Sequence, residues 1–209
     1  MWTYCESGLC PEISFLFFQV HPAQAGPLVD HVTQAVARQA ETGPEVGETD
    51  APTKGVLDLY CGVGLFSLPL AGRGIPVAGV EWDPGAVKAA EENGAQARAA
   101  GQIPPRVPLS FERRNLEQPE VFPRLVKRHG PPRVVVLDPP RRGLPEGLTQ
   151  AILAQGPERI VYVSCDGGTF ARDAARLSAR YHLTDLRGFD LFPQTHHLEV
   201  VGVFTLVPK

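Results

Sequence analysis

The chain has 209 residues, enough for one α/β domain with its own core and too few for two large ones. Apolar residues make up 43% and charged residues 21%, which excludes a chain disordered throughout. A net charge of -3 excludes a global basic field for nucleic acid, so such a ligand would rest on local patches. Arg113 with Arg114, Lys127 to His129, and Arg141 with Arg142 are the candidates, and each reads more simply as ordinary solvated charge.

No apolar stretch reaches the roughly 18 residues that cross a bilayer, and the amino terminus lacks a leader pattern. A cytoplasmic location and no membrane contact are therefore expected. The cysteines are Cys5, Cys10, Cys61 and Cys165, with no CxxC pair, so neither a disulfide framework nor a zinc site is expected.

In chain order, residues 1–12 read as an amino-terminal tail. Residues 13–40 read as an extended segment, ISFLFFQV, followed by a helix from Pro22 to about Gln39 that packs on the main domain. Residues 41–54, rich in Glu, Gly, Pro and Thr, read as a linker. From Gly55 to the end, short apolar runs alternate with helical patterns. VLDLY, IPVAGVE, RVPLSF, RVVVLD and RIVYVS are the expected strands, with helices over 64–71, 84–99, 118–129, 145–155 and 169–180. The run Val134, Val135, Val136, Leu137 suits a strand buried on both faces. Two further strands near 182–190 and 197–207 follow the last helix, so the expected fold is α/β, a Rossmann-like, mostly parallel seven-stranded sheet with an antiparallel edge hairpin.

Ligands of such sheets lie beyond the carboxyl ends of the strands, and the polar residues fall there. Asp58-Leu-Tyr-Cys-Gly-Val-Gly64 closes the first strand, and its glycines let backbone approach a ligand. The run GVGLFS lacks the third glycine of a dinucleotide loop. Glu81 ends the second strand, where a carboxylate can accept both ribose hydroxyls or cap the helix at Pro84. Asn115 reads equally as a ligand for an adenine or as an Asx turn. Asp138 opens the rigid turn Asp-Pro-Pro-Arg-Arg-Gly143. Cys165 follows the fifth strand, and a thiol at a strand-to-helix turn can be lowered in pKa by the helix end and act as a nucleophile, or be a buried small hydrophobe. Cys61 fits the cofactor turn better than catalysis. Glu199 could take a proton, and His196 or His197 could do so or orient a substrate, although an exposed acid is the simpler reading of Glu199 alone.

Together these residues resemble one family, the RNA 5-methyluridine (uracil-5) methyltransferases, which are class I S-adenosylmethionine-dependent enzymes. The resemblance rests on SFLFFQVHPAQA (14–25), VLDLYCGVGLFSLPLA (56–71), GVEWDPGAVKAAEEN (79–93), NLEQ (115–118), VVVLDPPRRG (134–143), YVSCDGGTFARD (162–173) and FDLFPQTHHLE (189–199). It implies S-adenosylmethionine as cofactor, with Gln19, Tyr60, Leu65, Glu81, Asn115 and Asp138 as its binding residues. It also implies that Cys165 attacks carbon 6 of a uracil in ribosomal or transfer RNA and that Glu199 removes the carbon 5 proton. Leu65 stands where the family commonly has Asn or Thr, Gly167 where it has proline, and His21 where it has Asn.

The resemblance covers the catalytic domain, without the family's amino-terminal RNA-binding and central domains. Weak RNA binding by this chain alone is therefore expected, with a partner protein or self-association in place of the missing clamp. An unstacked or loop uridine is the expected target. The alternatives are methyl transfer to another substrate and a non-catalytic relative that binds cofactor or RNA. A nicotinamide oxidoreductase would leave DPPRRG and SCDGGT unexplained.

Overall fold

The computed structural model describes residues 2–5, 8–11, 22–40, 55–191 and 198–207. Strands β1 (Trp2–Cys5) and β2 (Gly8–Pro11) pair as an antiparallel hairpin, and helix α1 spans Pro22–Ala40. The main domain then runs β3 (Val56–Leu59), α2 (Ser67–Gly72), β4 (Val77–Glu81), α3 (Pro84–Ala99), β5 (Leu109–Arg113) and α4 (Val121–His129). It continues with β6 (Val134–Leu137), α5 (Glu146–Gln155), β7 (Arg159–Ser164), α6 (Gly167–Leu177), β8 (Tyr181–Phe189) and β9 (Glu199–Leu206). The sheet has seven strands in the order β5-β4-β3-β6-β7-β9-β8. Strands β3 to β7 are parallel, and β9 runs antiparallel to both β7 and β8, so the expected Rossmann-like sheet and edge hairpin are what the chain forms.

The uninterrupted apolar runs exist because helices cover both faces of the sheet. Alternate residues of a strand point to opposite faces, and the core divides accordingly. Leu57, Leu59, Val135, Leu137, Ile160 and Tyr162 pack with residues of α4, α5 and α6. Val56, Val134, Val136, Val161 and Val163 pack with Leu28, Val29, Val32 and Val36 of α1. Helix α1 is also held by polar contacts: Arg159 Nη1 donates to the Ala35 carbonyl at 2.5 Å, and His31 Nε2 lies 3.2 Å from Asp185 Oδ2. Among the described residues no helix is long and apolar enough to cross a membrane.

Helix ends follow local chemistry. Asp83 caps α3, accepting from the Ala86 N–H at 2.7 Å, and Pro84 follows at the first helical position. Gly156 stops α5 in the left-handed region at φ 67°. The last strand in space, β8, is exposed from residue 182 to residue 188, and its pairing with β9 shifts register between Leu183 and Asp185.

Gly79, in the middle of β4, has no room for a side chain. A Cβ there would stand 2.5 Å from the Phe111 ring and 2.9 Å from Cys61 Sγ. Gly79→Ala should therefore destabilise the protein by about 1–3 kcal/mol through overpacking, read from the midpoint of urea unfolding.

Candidate functional site

The carboxyl ends of β3, β4, β6 and β7 bring together the residues singled out in the sequence. The turn after β3 is tightly curled: Tyr60 has φ 64°, a conformation rare for a side-chain-bearing residue, and Gly62 and Gly64 have φ 53° and 93°. It is tied to β4 on its inner side, where Tyr60 N and Cys61 N both donate to the Val80 carbonyl at 2.8 and 3.1 Å. Asn93 of α3 holds it from the other side, its Nδ2 donating to the Val63 carbonyl at 3.1 Å. Glu81 is itself fixed by three backbone donors, with Gly62 N at 3.2 Å on Oε2, and Trp82 N at 2.6 Å and Asp83 N at 2.9 Å on Oε1. The turn after β3 and the acid expected at the ribose are thus one hydrogen-bonded unit.

Two polar atoms in this unit stand out. Asp58 is fully buried; its Oδ2 accepts from Ser67 Oγ at 2.5 Å, while Oδ1 has no hydrogen-bond partner among the described residues. Burial pushes the Asp58 carboxyl up to about 7, only partly offset by the Ser67 hydroxyl. The buried Tyr60 hydroxyl likewise lacks a partner among the described residues, and burial raises its phenol. Leu65 is half-buried against the α1 side of the core and offers no polar atom. Asn115 forms the Asx turn, its Oδ1 accepting from Glu117 N at 3.0 Å. Gln19, His196 and His197 lie outside the described residues.

Cys165 and Glu199 meet through strand pairing. Ser164, the last residue of β7, is paired with Val200 of β9. One step outward along the same antiparallel ladder come Cys165 and Glu199, both half-buried. Arg141 and Asp138, from the turn after β6, act on the same thiol. The helix end was expected to lower the pKa of Cys165, and the structure corrects this. Burial and then the Glu199 carboxylate raise it, with Asp138 adding to the rise and Arg141 opposing it. Burial also raises Glu199, against the opposing effect of Arg141. Asp138 is pushed well up by burial and by Glu199, Asp58 and Glu81, so four carboxyl groups sense one another at this edge. Cys61, by contrast, is buried beneath the loop with its thiol raised, as a packing residue would be.

Much of the basic charge noted in the sequence serves the fold. Buried Glu112 takes Arg114 at 2.8 Å, Arg128 at 3.0 Å and His129 at 2.6 Å. Arg113 covers Trp82, with its guanidinium 4.7 Å from the ring centroid and its Nε donating to the Trp82 carbonyl at 3.1 Å. Trp82 is 55% exposed directly after Glu81, an aromatic surface that the sequence reading passed over. Also missed was Asp173 of α6, fully buried and bonded to Tyr162, Arg172, Arg176 and Leu144 N. Its spacing from the buried Phe170 and Leu177 places it on the inward stripe of the helix, the one signal that could have flagged it. A cleft lined by Gly55, Pro76, Pro108, His129 and Pro132 lies at the opposite edge of the sheet, where β3 and β4 begin.

The strand order, the acidic residue that ends β4 and the curled turn after β3 define a Rossmann-like methyltransferase fold. The profile of the tRNA (uracil-5-)-methyltransferase family matches residues 45–206, and the chain belongs to that family. An RNA methyltransferase of Listeria innocua is 37% identical over 191 residues, which are 91% of this chain and 38% of the relative. The 23S rRNA (uracil(1939)-C(5))-methyltransferase RlmD of Enterobacter sp. (strain 638) is 42% identical over 156 residues, 74% of this chain and 34% of that protein. The chain thus spans little more than a third of the length of these relatives. Among solved structures, the Pyrococcus abyssi tRNA (uracil-54, C5)-methyltransferase in complex with S-adenosyl-L-homocysteine superposes with a TM-score of 0.68 at 31% identity, covering 90% of this chain and 40% of that one. The magnesium protoporphyrin IX methyltransferase of Synechocystis, at 16% identity and a TM-score of 0.55, shares the fold alone.

Asp58 supplies a pH test. Its folded-state pKa of about 7 lies above the unfolded value of 3.8, so its contribution to stability is full below pH 3.8 and is lost as pH rises through 7. Relative to Asp58→Asn, the wild type should lose on the order of 4 kcal/mol of stability between pH 4 and pH 8, measured by urea unfolding without ligand. Gly167 supplies a second test. It is the first residue of α6, follows the extended Asp166 at φ -137° and ψ 111°, and leaves open space where a Cβ would stand. Proline suits that position, so Gly167→Pro should stabilise the protein by about 0.4–1 kcal/mol, with a raised melting temperature.

Proposed function

We propose that this domain transfers a methyl group from S-adenosylmethionine to carbon 5 of a uridine in RNA, through a covalent adduct of Cys165 at carbon 6. The observation that carries this reading is the juxtaposition of Cys165 and Glu199 by the β7–β9 ladder, at the sheet edge that also holds the acid-rich loop unit. The residues fit the cofactor. Asp58 Oδ1 and the Tyr60 hydroxyl are buried and lack protein partners among the described residues, and the neighbouring carboxyl groups suit a ligand bearing positive charge. When bound, S-adenosylmethionine supplies an electrophilic methyl group. Glu81, fixed by three backbone donors, would accept the ribose hydroxyls, and Asn115, Asp138, Leu65 and Gln19 complete the proposed set.

Carbon 5 of uracil is a weak nucleophile, and addition of a thiolate at carbon 6 overcomes this. The Cys165 thiol gives up its proton to water as its sulfur bonds to carbon 6, the displaced electron pair makes carbon 5 nucleophilic, and carbon 5 takes the methyl group as the bond from methyl to the sulfonium sulfur breaks, leaving a neutral thioether. Glu199 then removes the proton from carbon 5, and the electrons released expel the Cys165 thiolate, leaving 5-methyluridine. Arg141 offsets the negative charge around the thiol. A target uridine reaches this edge most easily from a loop or when unstacked.

Incubation with methyl-labelled S-adenosylmethionine and unmodified RNA should place label in 5-methyluridine and nowhere else. Cys165→Ala should reduce incorporation to background. Glu199→Gln should slow turnover about 100- to 10,000-fold while methylated RNA accumulates as a covalent protein adduct resolved on a denaturing gel. Label in a different nucleoside, or undiminished transfer by the Cys165 variant, would overturn the reading.

A further inference from the structure

The helix that follows Cys165 grips the turn that carries Arg141, its side chains bonding backbone atoms of the turn. Thr169 Oγ lies 3.0 Å from the Arg141 carbonyl, and Arg172 Nη2 donates to the Arg142 carbonyl at 2.8 Å. Asp173 Oδ2 accepts from Leu144 N at 2.8 Å, and Arg176 Nη1 donates to the Leu144 carbonyl at 3.4 Å. Between these anchors Gly143 has φ 76°, and a Cβ on it would stand 2.3 Å from Asp173 Oδ2. The turn therefore lies flush against α6, in a shape only glycine allows at that point. Asp173 is locked in turn by Arg172 Nε at 2.9 Å, Arg176 Nη1 at 3.2 Å and the Tyr162 hydroxyl at 3.0 Å.

We propose that Thr169 and Asp173 are positioning residues, which clamp the 141–144 turn to α6, the helix that starts just after Cys165, so that Arg141 is held at that helix end and sets the reactivity of the Cys165 thiol. The inference rests on reading Cys165 as the nucleophile. Three charged groups act on that thiol: Glu199 from β9, and Asp138 and Arg141 from the turn after β6, with Asp166 next to it in the chain. Of these only Arg141 favours the thiolate, and its backbone carbonyl is the one Thr169 holds. The single Thr169 hydroxyl proton is shared between the Arg141 carbonyl at 3.0 Å and Asp166 Oδ1 at 2.7 Å, while Asp166 caps α6 by accepting from Thr169 N at 2.7 Å.

The test follows alkylation of Cys165 by iodoacetamide in the full chain, read peptide by peptide by mass spectrometry across pH, with neither cofactor nor RNA present. Thr169→Val should move the midpoint of the reactivity profile up by about one pH unit, and Thr169→Ser should restore it. Arg141→Gln should produce a similar rise, and adding Thr169→Val to it should produce no more. Asp173→Asn should act in the same direction; Thr169, at the rim of the clamp, keeps the test valid if that buried variant does not fold. A wild-type profile for folded Thr169→Val, or a further rise when it is added to Arg141→Gln, would overturn the proposal. The two readings fail separately. Undiminished methyl transfer by Cys165→Ala would remove the nucleophile, whereas an unchanged alkylation profile would remove the clamp alone.

Discussion

The site depends on the reversed direction of β9. In a parallel sheet every strand ends at the same edge, so residues that start strands lie at the far edge from those that end them. Inserted antiparallel between β7 and β8, β9 has its first residue, Glu199, at the edge where β3, β4, β6 and β7 finish. A slip of one residue in the ladder would turn every β9 side chain to the opposite face and separate the pair. Packing guards that register. Phe170 of α6 stacks between Tyr162 and Phe204, at centroid distances of 5.4 and 6.1 Å, and fills the space above Gly202, where a Cβ would stand 2.6 Å from its ring. Each aromatic pair contributes about 0.5–1.5 kcal/mol beyond its area.

Charge at that edge works against stability. Asp58, Asp138 and Glu199 all have raised proton affinities, since burial and mutual repulsion disfavour their ionised forms. A fold selected for stability alone would place leucines there. What the arrangement provides is a group of carboxyl side chains at one edge whose ionised forms gain from a neighbouring positive charge.

The sheet was legible because its physics is local. A run such as Val134 to Leu137 suits a strand covered on both faces, and a helix start at Pro84 could be read, although its cap is Asp83 rather than Glu81. The carboxyl-edge residues were legible because strand ends are. Contacts made across the fold were not. Asp173 sits among arginines in the sequence and reads as one more surface charge, yet it is fully buried and joins β7, α6 and the turn after β6. The pKa direction of Cys165 was misread for a related reason: the helix end is visible along the chain, but the burial that raises the thiol, and the Glu199 carboxylate that adds to the rise from thirty-odd positions away, exist only in the folded packing. Glu112 is buried by the same kind of distant pairing, with Arg128 and His129 reaching it from α4 and Arg114 from beside it in the chain.

The register shift in β8 carries a consequence for how the molecule behaves among copies of itself. An outermost strand offers unpaired backbone groups to any passing chain, and a long, flat one invites fibrous growth. Here the irregularity between Leu183 and Asp185 breaks the even spacing of those groups, and His182, Asp185 and Arg187 punctuate the exposed rim with polar and charged side chains. A neighbouring strand laid along this rim would lose its hydrogen-bond rhythm partway and bury charge as it did so, which keeps the open side of the sheet from serving as a template.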